Sequence, residues 1–361
     1  MPDQQQGAPA AERHGGNRLA AARRLGCPPH QLLDASASLV PFGPPWWLRL
    51  ALARAPGLRD YPDRDHGALR LAIASHHRLD PAMVLPGNGA AELFTWAARD
   101  AAASGTSLLP SPGFADYRRA LACWNGAWRP LPLPLVWPAA FPQPFPIGSA
   151  AAEVLWLTNP HNPSGQLWSR ASLEPLVERC ALVIADEAFL PLVPGGEAQS
   201  LVPLLAHHPN LVVVRSLTKL YAIAGLRLGY AMGSPERLAR WAGWRDPWPL
   251  NGLAAAIGER LLADGRWSRR VRRWLGREGP WLHRQLAALP GLTPLPSAAN
   301  YLLVRGERPL EPLRRTLETR HRILVRDCRS FEGLDGHWLR LAVLNRRGNR
   351  RLLRAIEREL G

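Results

Sequence analysis

The sequence lacks the features that would place the chain in a membrane or outside the cell. No stretch reaches the roughly 18 uninterrupted apolar residues of a membrane-spanning helix, and the N-terminus has no apolar segment of the kind that a signal peptide carries. The four cysteines form no CxxC pair and no metal-ligand spacing: Cys27, Cys123, Cys180 and Cys328. We therefore expect a cytoplasmic protein with reduced thiols, no bound metal and no membrane partner.

Lysine is nearly absent. Of the 45 basic residues, 44 are arginine, and the remaining one is Lys219. Arginine evidently occupies nearly every position of this sequence that requires only a positive charge. The remaining lysine should therefore lie at a position where arginine cannot replace it. Arginine keeps its proton at physiological pH, whereas lysine can lose it and attack a carbonyl as an amine. The alternative is chance survival on the surface, and the neighbouring residues have to decide between the two.

The basic residues outnumber the acidic ones, and the formal net charge is +16. Excess positive charge attracts the phosphates of nucleic acids, and the densest arginine runs lie at 269–274 and 346–354. Neither run is interleaved with aromatic residues in a recognisable binding module, and the second has the spacing of a solvated amphipathic helix. We therefore expect no nucleic-acid partner.

The length and the apolar pattern predict an α/β protein in two lobes. A chain of 361 residues that is 47% hydrophobic can bury a substantial core. Continuous apolar runs of strand length alternate with helical sequence, which indicates a mostly parallel sheet covered on both faces. We expect an N-terminal arm, a large domain and a small α+β domain, at 1–45, 46–245 and 246–361. We interpret the proline-rich segment 129–146 as a long connection, because strand-like sequence resumes directly after it.

Polar residues follow the predicted strands directly, at the edge where open α/β sheets bind their ligands. In chain order they are Asn162, Asp186, Lys219 and Arg227, separated by 24, 33 and 8 residues. Each element alone is weak, because a run of Asn, Pro, Ser and Gly also makes turns and an Asp at a strand end often caps one. Their joint occurrence around the single lysine indicates a functional site.

These residue types match the needs of pyridoxal phosphate. Its aldehyde requires a lysine amine, and its pyridine nitrogen requires a carboxylate that keeps the nitrogen protonated. Its ring oxygen requires a hydrogen-bond donor. Lys219, Asp186 and Asn162 supply these groups, and Phe114 follows a predicted strand at a position suited to stack on the ring. The phosphate requires hydroxyls, an arginine and helix N-terminal amides. The residues that we assign to this end of the cofactor are Asn88, Gly89, Ala90, Ser216, Thr218 and Arg227.

Four motifs carry a resemblance to a known family: NPHNPSG, DEAF, SLTK and GLRLGY, which begin at Asn159, Asp186, Ser216 and Gly225. They resemble those of the fold-type I aminotransferase superfamily, in its class I/II branch. This resemblance implies a fold-type I pyridoxal-phosphate enzyme. Its large domain, at 46–245, would then bind the cofactor with a mostly parallel sheet covered by helices, beside a small C-terminal α+β domain.

Within this branch the chain resembles histidinol-phosphate aminotransferases and, more closely, the threonine-phosphate decarboxylases of cobalamin biosynthesis. The segments that carry the closer resemblance span nearly the whole chain: 14–17, 33–45, 61–65, 87–93 and 325–343. The resemblance implies a homodimer in which Tyr61 reaches the cofactor phosphate of the neighbouring subunit. It also implies that the substrate, a small amino acid or amino phosphate, is bound by Arg340, Arg326, Asn300 and His14.

The chain departs from the family pattern at three places. Phe189 stands where many relatives carry a tyrosine whose hydroxyl bonds the cofactor ring oxygen, so Asn162 alone would make that contact. The segment SASLVPFGPP at 36–45 lacks the asparagine that is usual there, and Arg329 interrupts an RDCSxF-like pattern. These departures bear on the substrate and leave the cofactor residues intact.

Three functions remain open from the sequence. The first is decarboxylation of L-threonine O-3-phosphate to aminopropanol phosphate, for the nucleotide loop of cobalamin. The second is an aminotransferase of histidinol-phosphate or related amino-acid type. The third is a non-catalytic or DNA-binding descendant of the fold, which the 45 residues before the large domain disfavour because they are too few and too rich in Pro and Gly for a helix-turn-helix domain.

Overall fold

A computed structural model describes residues 15–55, 59–146 and 153–361. The strands within these ranges are β1 (Leu33–Ala35), β2 (Val84–Gly87), β3 (Ser107–Ser111), β4 (Trp128–Pro132), β5 (Val154–Thr158), β6 (Leu182–Asp186), β7 (Leu211–Ser216), β8 (Gly229–Met232), β9 (Leu292–Pro294), β10 (Tyr301–Gly306), β11 (Ile323–Asp327) and β12 (Trp338–Ala342). The helices are α1 (Arg18–Arg24), α2 (Trp46–Ala53), α3 (Gly67–His77), α4 (Ala90–Ser104), α5 (Asp116–Ala122), α6 (Arg170–Arg179), α7 (Leu217–Tyr221), α8 (Pro235–Trp244), α9 (Gly252–Ala263), α10 (Gly265–Ala287), α11 (Glu311–Thr319) and α12 (Arg346–Leu360). Among the described helices, none combines the length and apolar composition that a bilayer crossing requires.

The larger sheet has seven strands in the order β2-β8-β7-β6-β5-β3-β4. Its pairs are parallel except for those of β8, which runs antiparallel to both of its neighbours. The expected mostly parallel sheet is therefore confirmed. Because the carboxyl ends of parallel strands meet at one edge, residues far apart in sequence come together there.

Alternate residues of the central strands are buried on opposite faces of this sheet. Trp156 and Ile184 pack in one hydrophobic cluster with side chains of α4, α5 and α8. Leu155 and Val183 pack in a second cluster with side chains of α3, α6, α9 and α10. Burial on both faces explains why these strands are apolar without alternation.

The interpretation of 129–146 as a connection is wrong at its start, because β4 is an edge strand of the larger sheet, parallel to β3. The amide of Leu133 donates to the carbonyl of Ser111, and the amide of Ser107 donates to the carbonyl of Ala127. The backbone of odd-numbered residues therefore faces β3, and Pro130 and Pro132 face the free edge. A proline is tolerated there because no partner strand needs its missing N–H.

The smaller sheet has the order β1-β11-β12-β10-β9. β1 pairs in parallel with β11 and so brings part of the first 45 residues into this sheet. β12 is flanked by antiparallel partners, β10 and β11. The strand β12 and its neighbour β11 turn arginine side chains towards the large sheet, which positions the site described next.

Candidate active site

A pocket lies between the carboxyl edge of the large sheet and the small sheet. Parallel register places Thr158 beside Asp186 and Asp186 beside Val214, so β5, β6 and β7 end together at its floor. Ten of the residues predicted from the sequence line it: Ala90, Phe114, Asn162, Asp186, Ser216, Thr218, Lys219, Arg227, Arg326 and Arg340. In the described part of the chain, no group of three or more His, Cys, Asp or Glu side chains is placed to hold a metal ion.

Lys219 lies on α7, the short helix that begins directly after β7. Burial, together with the positive charges of Arg340 and Arg227, lowers the pKa of its amine to about 8, and the negative charge of Asp186 opposes this shift. Its Nζ lies 5.8 Å from the centre of the Phe189 ring. The result is an amine that loses its proton far more readily than an exposed lysine, as a nucleophile requires.

Asp186 is the last residue of β6 and is buried. Its Oδ2 accepts a hydrogen bond from the hydroxyl of Tyr117 at 2.7 Å, and its Oδ1 accepts one from the amide of Ala188 at 2.9 Å. Burial raises the pKa of Asp186 to about 6, against the lowering effect of these donors and of Lys219. Such a carboxylate is suited to bind a positively charged group, because an ion pair would offset the free-energy cost of burying its charge.

Donors gather at the opposite end of the pocket. Ser216 and Thr218 flank the start of α7, and Ala90 begins the 15-residue helix α4, whose first amides are available to an anion. Gly89 has φ +79°, and a Cβ there would lie 2.7 Å from Nη2 of Arg227. The loop before α4 therefore approaches the guanidinium as closely as a glycine allows.

Asn162 contacts both lobes. Its Oδ1 accepts a hydrogen bond from Nη1 of Arg340, and because arginine can only donate, the Nδ2 of Asn162 is left to donate into the pocket. Phe114 and Phe189 supply apolar walls. The ring of Phe189 is buried and packs edge-on against Tyr301, with the ring centres 5.1 Å apart.

Arg340 and Arg326 enter the pocket from the small sheet, and both are buried. The guanidinium of Arg340 lies 4.8 Å from the centre of the Tyr301 ring. Phe331 lies between the two arginines, with its ring centre 5.2 Å from Cζ of Arg326 and 5.9 Å from Cζ of Arg340. Burial lowers the pKa of Arg340, as it does for any cation held away from water.

Four other predicted residues are not part of the pocket wall: Asn88, Gly89, Asn300 and Tyr61. Asn88 is exposed, and its backbone N–H donates a hydrogen bond to Oε2 of Glu92 at 2.7 Å. Asn300 is fully buried behind the pocket and donates from Nδ2 to the carbonyl of Ser38 at 3.0 Å. Tyr61 is 76% exposed and stacks on Trp248 at 4.2 Å, away from this pocket. His14 lies outside the described residues.

Sequence reasoning missed several residues that build the site. The Tyr117 hydroxyl, on α5, donates a hydrogen bond to Asp186, and the only sequence signal for Tyr117 is its position three residues after Phe114. Ser36 and Ser38 line the pocket from the segment after β1. The Ser38 hydroxyl has no hydrogen-bond partner among the described residues, although the side chain is buried. The sequence marked this segment by its family resemblance and by its missing asparagine, but neither serine was predicted to line the pocket.

The residues present fit pyridoxal phosphate. The pocket holds one lysine with a readily lost proton, a buried carboxylate with two hydrogen-bond donors, and a separate cluster of hydroxyls, helix amides and an arginine. These three groups correspond to the aldehyde, the protonated pyridine nitrogen and the phosphate of the cofactor. Phe114 is available to contact the ring.

Comparison with known proteins agrees with this chemistry. The profile of the family described as aminotransferase class I and II matches residues 44–356. The threonine-phosphate decarboxylase of Salmonella typhimurium is 38% identical over 96% of this chain and 96% of its own length. The histidinol-phosphate aminotransferase of Symbiobacterium thermophilum is 34% identical over 94% of this chain and 93% of its own length.

A solved structure extends the likeness to three dimensions. The L-threonine-O-3-phosphate decarboxylase from Porphyromonas gingivalis superposes with a TM-score of 0.80 at 25% identity, over 91% of this chain and 99% of the other. The fold-type I architecture expected from the motifs is thereby confirmed, and so is the cofactor, because class I and II aminotransferases are pyridoxal-phosphate enzymes. The chain belongs to the class I and II aminotransferase family.

Proposed function

We propose that this protein uses pyridoxal phosphate to decarboxylate L-threonine O-3-phosphate, giving aminopropanol phosphate for cobalamin biosynthesis. The observation that carries the proposal is the pair of buried arginines, Arg326 and Arg340, on the pocket wall that faces Lys219. The relative from Salmonella typhimurium, named threonine-phosphate decarboxylase, supports the same reaction.

Two buried guanidinium groups suit a substrate with two anionic groups. A guanidinium binds carboxylate or phosphate oxygens through paired N–H donors, and it does so most strongly where water is excluded. L-threonine O-3-phosphate carries one carboxylate and one phosphate, which two separate arginines can hold at once. Asn300 supports the arrangement from behind, by holding the backbone at Ser38.

Each cofactor-binding residue takes a role that its position supports. Lys219 bonds the cofactor, and Asp186 pairs with its pyridine nitrogen while Asn162 donates to its ring oxygen. The phosphate is held by the α4 N-terminus at Gly89 and Ala90, with hydroxyls and an arginine from beyond β7. The residues of this second group are Ser216, Thr218 and Arg227. Asn88 shapes the loop without lining the pocket.

The chain's own groups then govern the reaction. When bound, pyridoxal phosphate accepts the electron pair that the departing carbon dioxide leaves at the substrate Cα. Arg326 and Arg340 orient the substrate so that the Cα–carboxylate bond, rather than the Cα–H bond, is the one that breaks. The Lys219 amine, with its pKa lowered to about 8, can carry the proton that replaces the carboxylate at Cα.

We also infer a homodimer in the cytoplasm. Tyr61 is exposed and lies away from the pocket of its own subunit, as expected if it serves the cofactor phosphate of a neighbouring subunit. The four cysteines are free thiols, which suits a reducing compartment: Cys27, Cys123, Cys180 and Cys328. His14 is proposed to bind the substrate, as the family resemblance of its motif implies.

The test is to mix cofactor-loaded protein with L-threonine O-3-phosphate and to measure carbon dioxide and aminopropanol phosphate together. Both products in equal amounts, over many turnovers, are the expected result. Borohydride treatment of the loaded protein, followed by peptide mass spectrometry, should place the cofactor on Lys219, the single lysine of the chain. Carbon dioxide release from a Lys219→Ala variant at the wild-type rate would contradict the assignment.

Transamination is the second candidate, because histidinol-phosphate aminotransferases are similar over nearly the whole chain. If the Cα–H bond were the one held for cleavage, the same pocket would move the amino group instead. The same assay separates the two. A keto product without carbon dioxide would identify an aminotransferase and would direct the search to histidinol phosphate and related amines.

A further inference from the structure

Tyr117 joins the ends of two neighbouring strands below the pocket. Its hydroxyl lies 2.7 Å from Oδ2 of Asp186 on β6 and 2.8 Å from Oγ1 of Thr158 on β5. Thr158 and Asp186 are register partners in the parallel sheet, so one phenol oxygen bridges two adjacent strand ends. This contact was not foreseen from the motifs, because Tyr117 comes from α5.

The phenol is locked in place by aromatic contacts. The Tyr117 ring packs edge-on against Phe94 at 5.1 Å and Phe114 at 5.4 Å, and lies 4.9 Å from the ring centre of Trp156. Tyr117 is 2% exposed and is not part of the wall of the active-site pocket. It therefore touches neither cofactor nor substrate directly, and any effect on the chemistry passes through Asp186.

We propose that Tyr117 is a positioning residue, whose hydroxyl holds the Asp186 carboxylate charged and correctly oriented for the pyridine nitrogen of pyridoxal phosphate. The proposal rests on the function proposed above, because it takes Asp186 as the partner of that nitrogen. Nothing in the family motifs assigns a role to this tyrosine, and the two hydrogen bonds at its hydroxyl carry the inference.

The direction of the hydrogen bonds follows from the environment. Burial raises the pKa of Tyr117, and the charge of Asp186 raises it further, so the phenol keeps its proton and acts as a donor. Since that proton is committed to Asp186, the Thr158 hydroxyl donates to the phenol oxygen. The hydrogen bond from Thr158 polarises the Tyr117 hydroxyl and so strengthens its hydrogen bond to Asp186. A hydrogen bond to a charged acceptor is also stronger than one between neutral groups.

The effect on charge has a definite sign. Burial moves the pKa of Asp186 up to about 6, and the Tyr117 hydrogen bond is the largest opposing influence. Without the phenol hydroxyl the carboxyl would hold its proton to still higher pH. A neutral Asp186 cannot form an ion pair with the protonated pyridine nitrogen, so the cofactor would bind more weakly. As the pH is lowered, this loss of affinity would begin at a higher pH than in the wild type.

The test is Tyr117→Phe, which keeps the ring and its packing. Apoprotein is titrated with pyridoxal phosphate between pH 5.5 and 8.5, and binding is followed by cofactor absorbance. We expect the Kd to rise roughly ten- to a hundredfold, as for loss of a hydrogen bond to a buried charge. We also expect the pH at which affinity falls by half to move upwards. Thr158→Val should change both quantities in the same direction by less.

Tyr230→Phe is the matched control. Tyr230 is also buried, and its hydroxyl lies 2.9 Å from Nε2 of His77, outside the pocket wall. This control should bind pyridoxal phosphate like the wild type. Wild-type affinity in Tyr117→Phe would overturn the proposal. Weaker binding with an unmoved pH profile would also overturn it, because that result would show that the Tyr117 hydroxyl does not act on the charge of Asp186.

Asp186→Asn separates failure of this proposal from failure of the proposed function. If Asp186→Asn loses the cofactor while Tyr117→Phe behaves as wild type, Asp186 keeps its role and only the positioning proposal fails. If Asp186→Asn binds pyridoxal phosphate as tightly as the wild type, the assignment of Asp186 itself is wrong, and the basis of both proposals is removed.

Discussion

Arg326 and Arg340 lie directly opposite each other on the antiparallel strands β11 and β12, and both line the pocket that contains Lys219. Two like charges buried in one pocket oppose each other, and they favour the binding of anionic groups between them. The positive charge of Arg340 also lowers the pKa of Lys219. The pocket wall that carries the two arginines is therefore electrostatically linked to Lys219.

Arg340→Lys should reduce kcat/KM for L-threonine O-3-phosphate by about one to two orders of magnitude, since a hydrogen bond to a charged group contributes about 1.5–3 kcal/mol. Lysine keeps the charge but loses the planar fork that holds an oxyanion. Steady-state kinetics measure the change. Arg305→Lys, at an exposed arginine of the same small sheet, is the control and should behave as the wild type. Equal kinetics in the two variants would contradict the anion-binding role.

Lys219→Met should stabilise the apoprotein at neutral pH. The folded-state pKa of about 8 lies below the ordinary value of 10.5, so the unfolded chain binds more protons between these pH values. The destabilisation is complete below pH 8 and disappears above pH 10.5. At pH 7 we expect the free energy of unfolding of Lys219→Met to exceed that of the wild-type apoprotein by about 2 kcal/mol, after allowance for solvent in the pocket.

Denaturant unfolding of both apoproteins at pH 7 and pH 10.5 checks this expectation. The advantage of Lys219→Met should shrink as the pH rises across this interval. An advantage that stayed constant with pH would show that the variant acts through packing and not through the lysine charge.

Gly89→Ala should lose affinity for pyridoxal phosphate. The residue has φ +79°, and a Cβ would lie 2.7 Å from the guanidinium of Arg227, so the arginine or the loop must move. Gly195→Ala is a matched control, because Gly195 has φ +72° and no heavy atom within 4 Å of the added Cβ. Both variants share the backbone strain of an alanine at positive φ. Only Gly89→Ala should weaken cofactor binding in an apoprotein titration.

Mixing two inactive variants tests whether Tyr61 acts across subunits. A heterodimer of Lys219→Ala with Tyr61→Ala has one site that contains both wild-type side chains only if Tyr61 comes from the neighbouring subunit. We expect activity to appear when the two variants are unfolded and refolded together, up to about a quarter of the wild-type level for random pairing. No recovery, with dimers present by light scattering, would place Tyr61 outside the partner's site.

Local sequence identified much of the pocket wall because the residues that form it directly follow strands of the large sheet. Asn162, Asp186 and Lys219 each lie at or within a few residues of a strand end, and parallel strands bring such ends together whatever the details of packing. The single lysine indicated which cofactor this pattern of residues binds, because the aldehyde of pyridoxal phosphate requires an amine. Arg326 and Arg340 followed from the family resemblance, and their meeting in the pocket depends on the pairing of β11 with β12.

Other features left no usable signal along the chain. The prolines of β4 are compatible with a strand only because β4 lies at a sheet edge, and edge position is a property of strand order. Tyr117 meets Asp186 across 69 residues of sequence, through packing of α5 against the sheet. The serines at 36 and 38 reach the pocket because β1 joins the small sheet.

The sequence by itself determined the α/β class, the cofactor and many of the residues that line the pocket, because these depend on residue type and on the local alternation of strands and turns. Only the tertiary structure decided which side chains support those residues and how the charges act on one another. Hydrogen bonds and pKa shifts depend on distances of a few ångströms between distant segments, such as the contact of Tyr117 with Asp186 and the influence of Arg340 on Lys219. Such distances arise from packing, which no local pattern encodes.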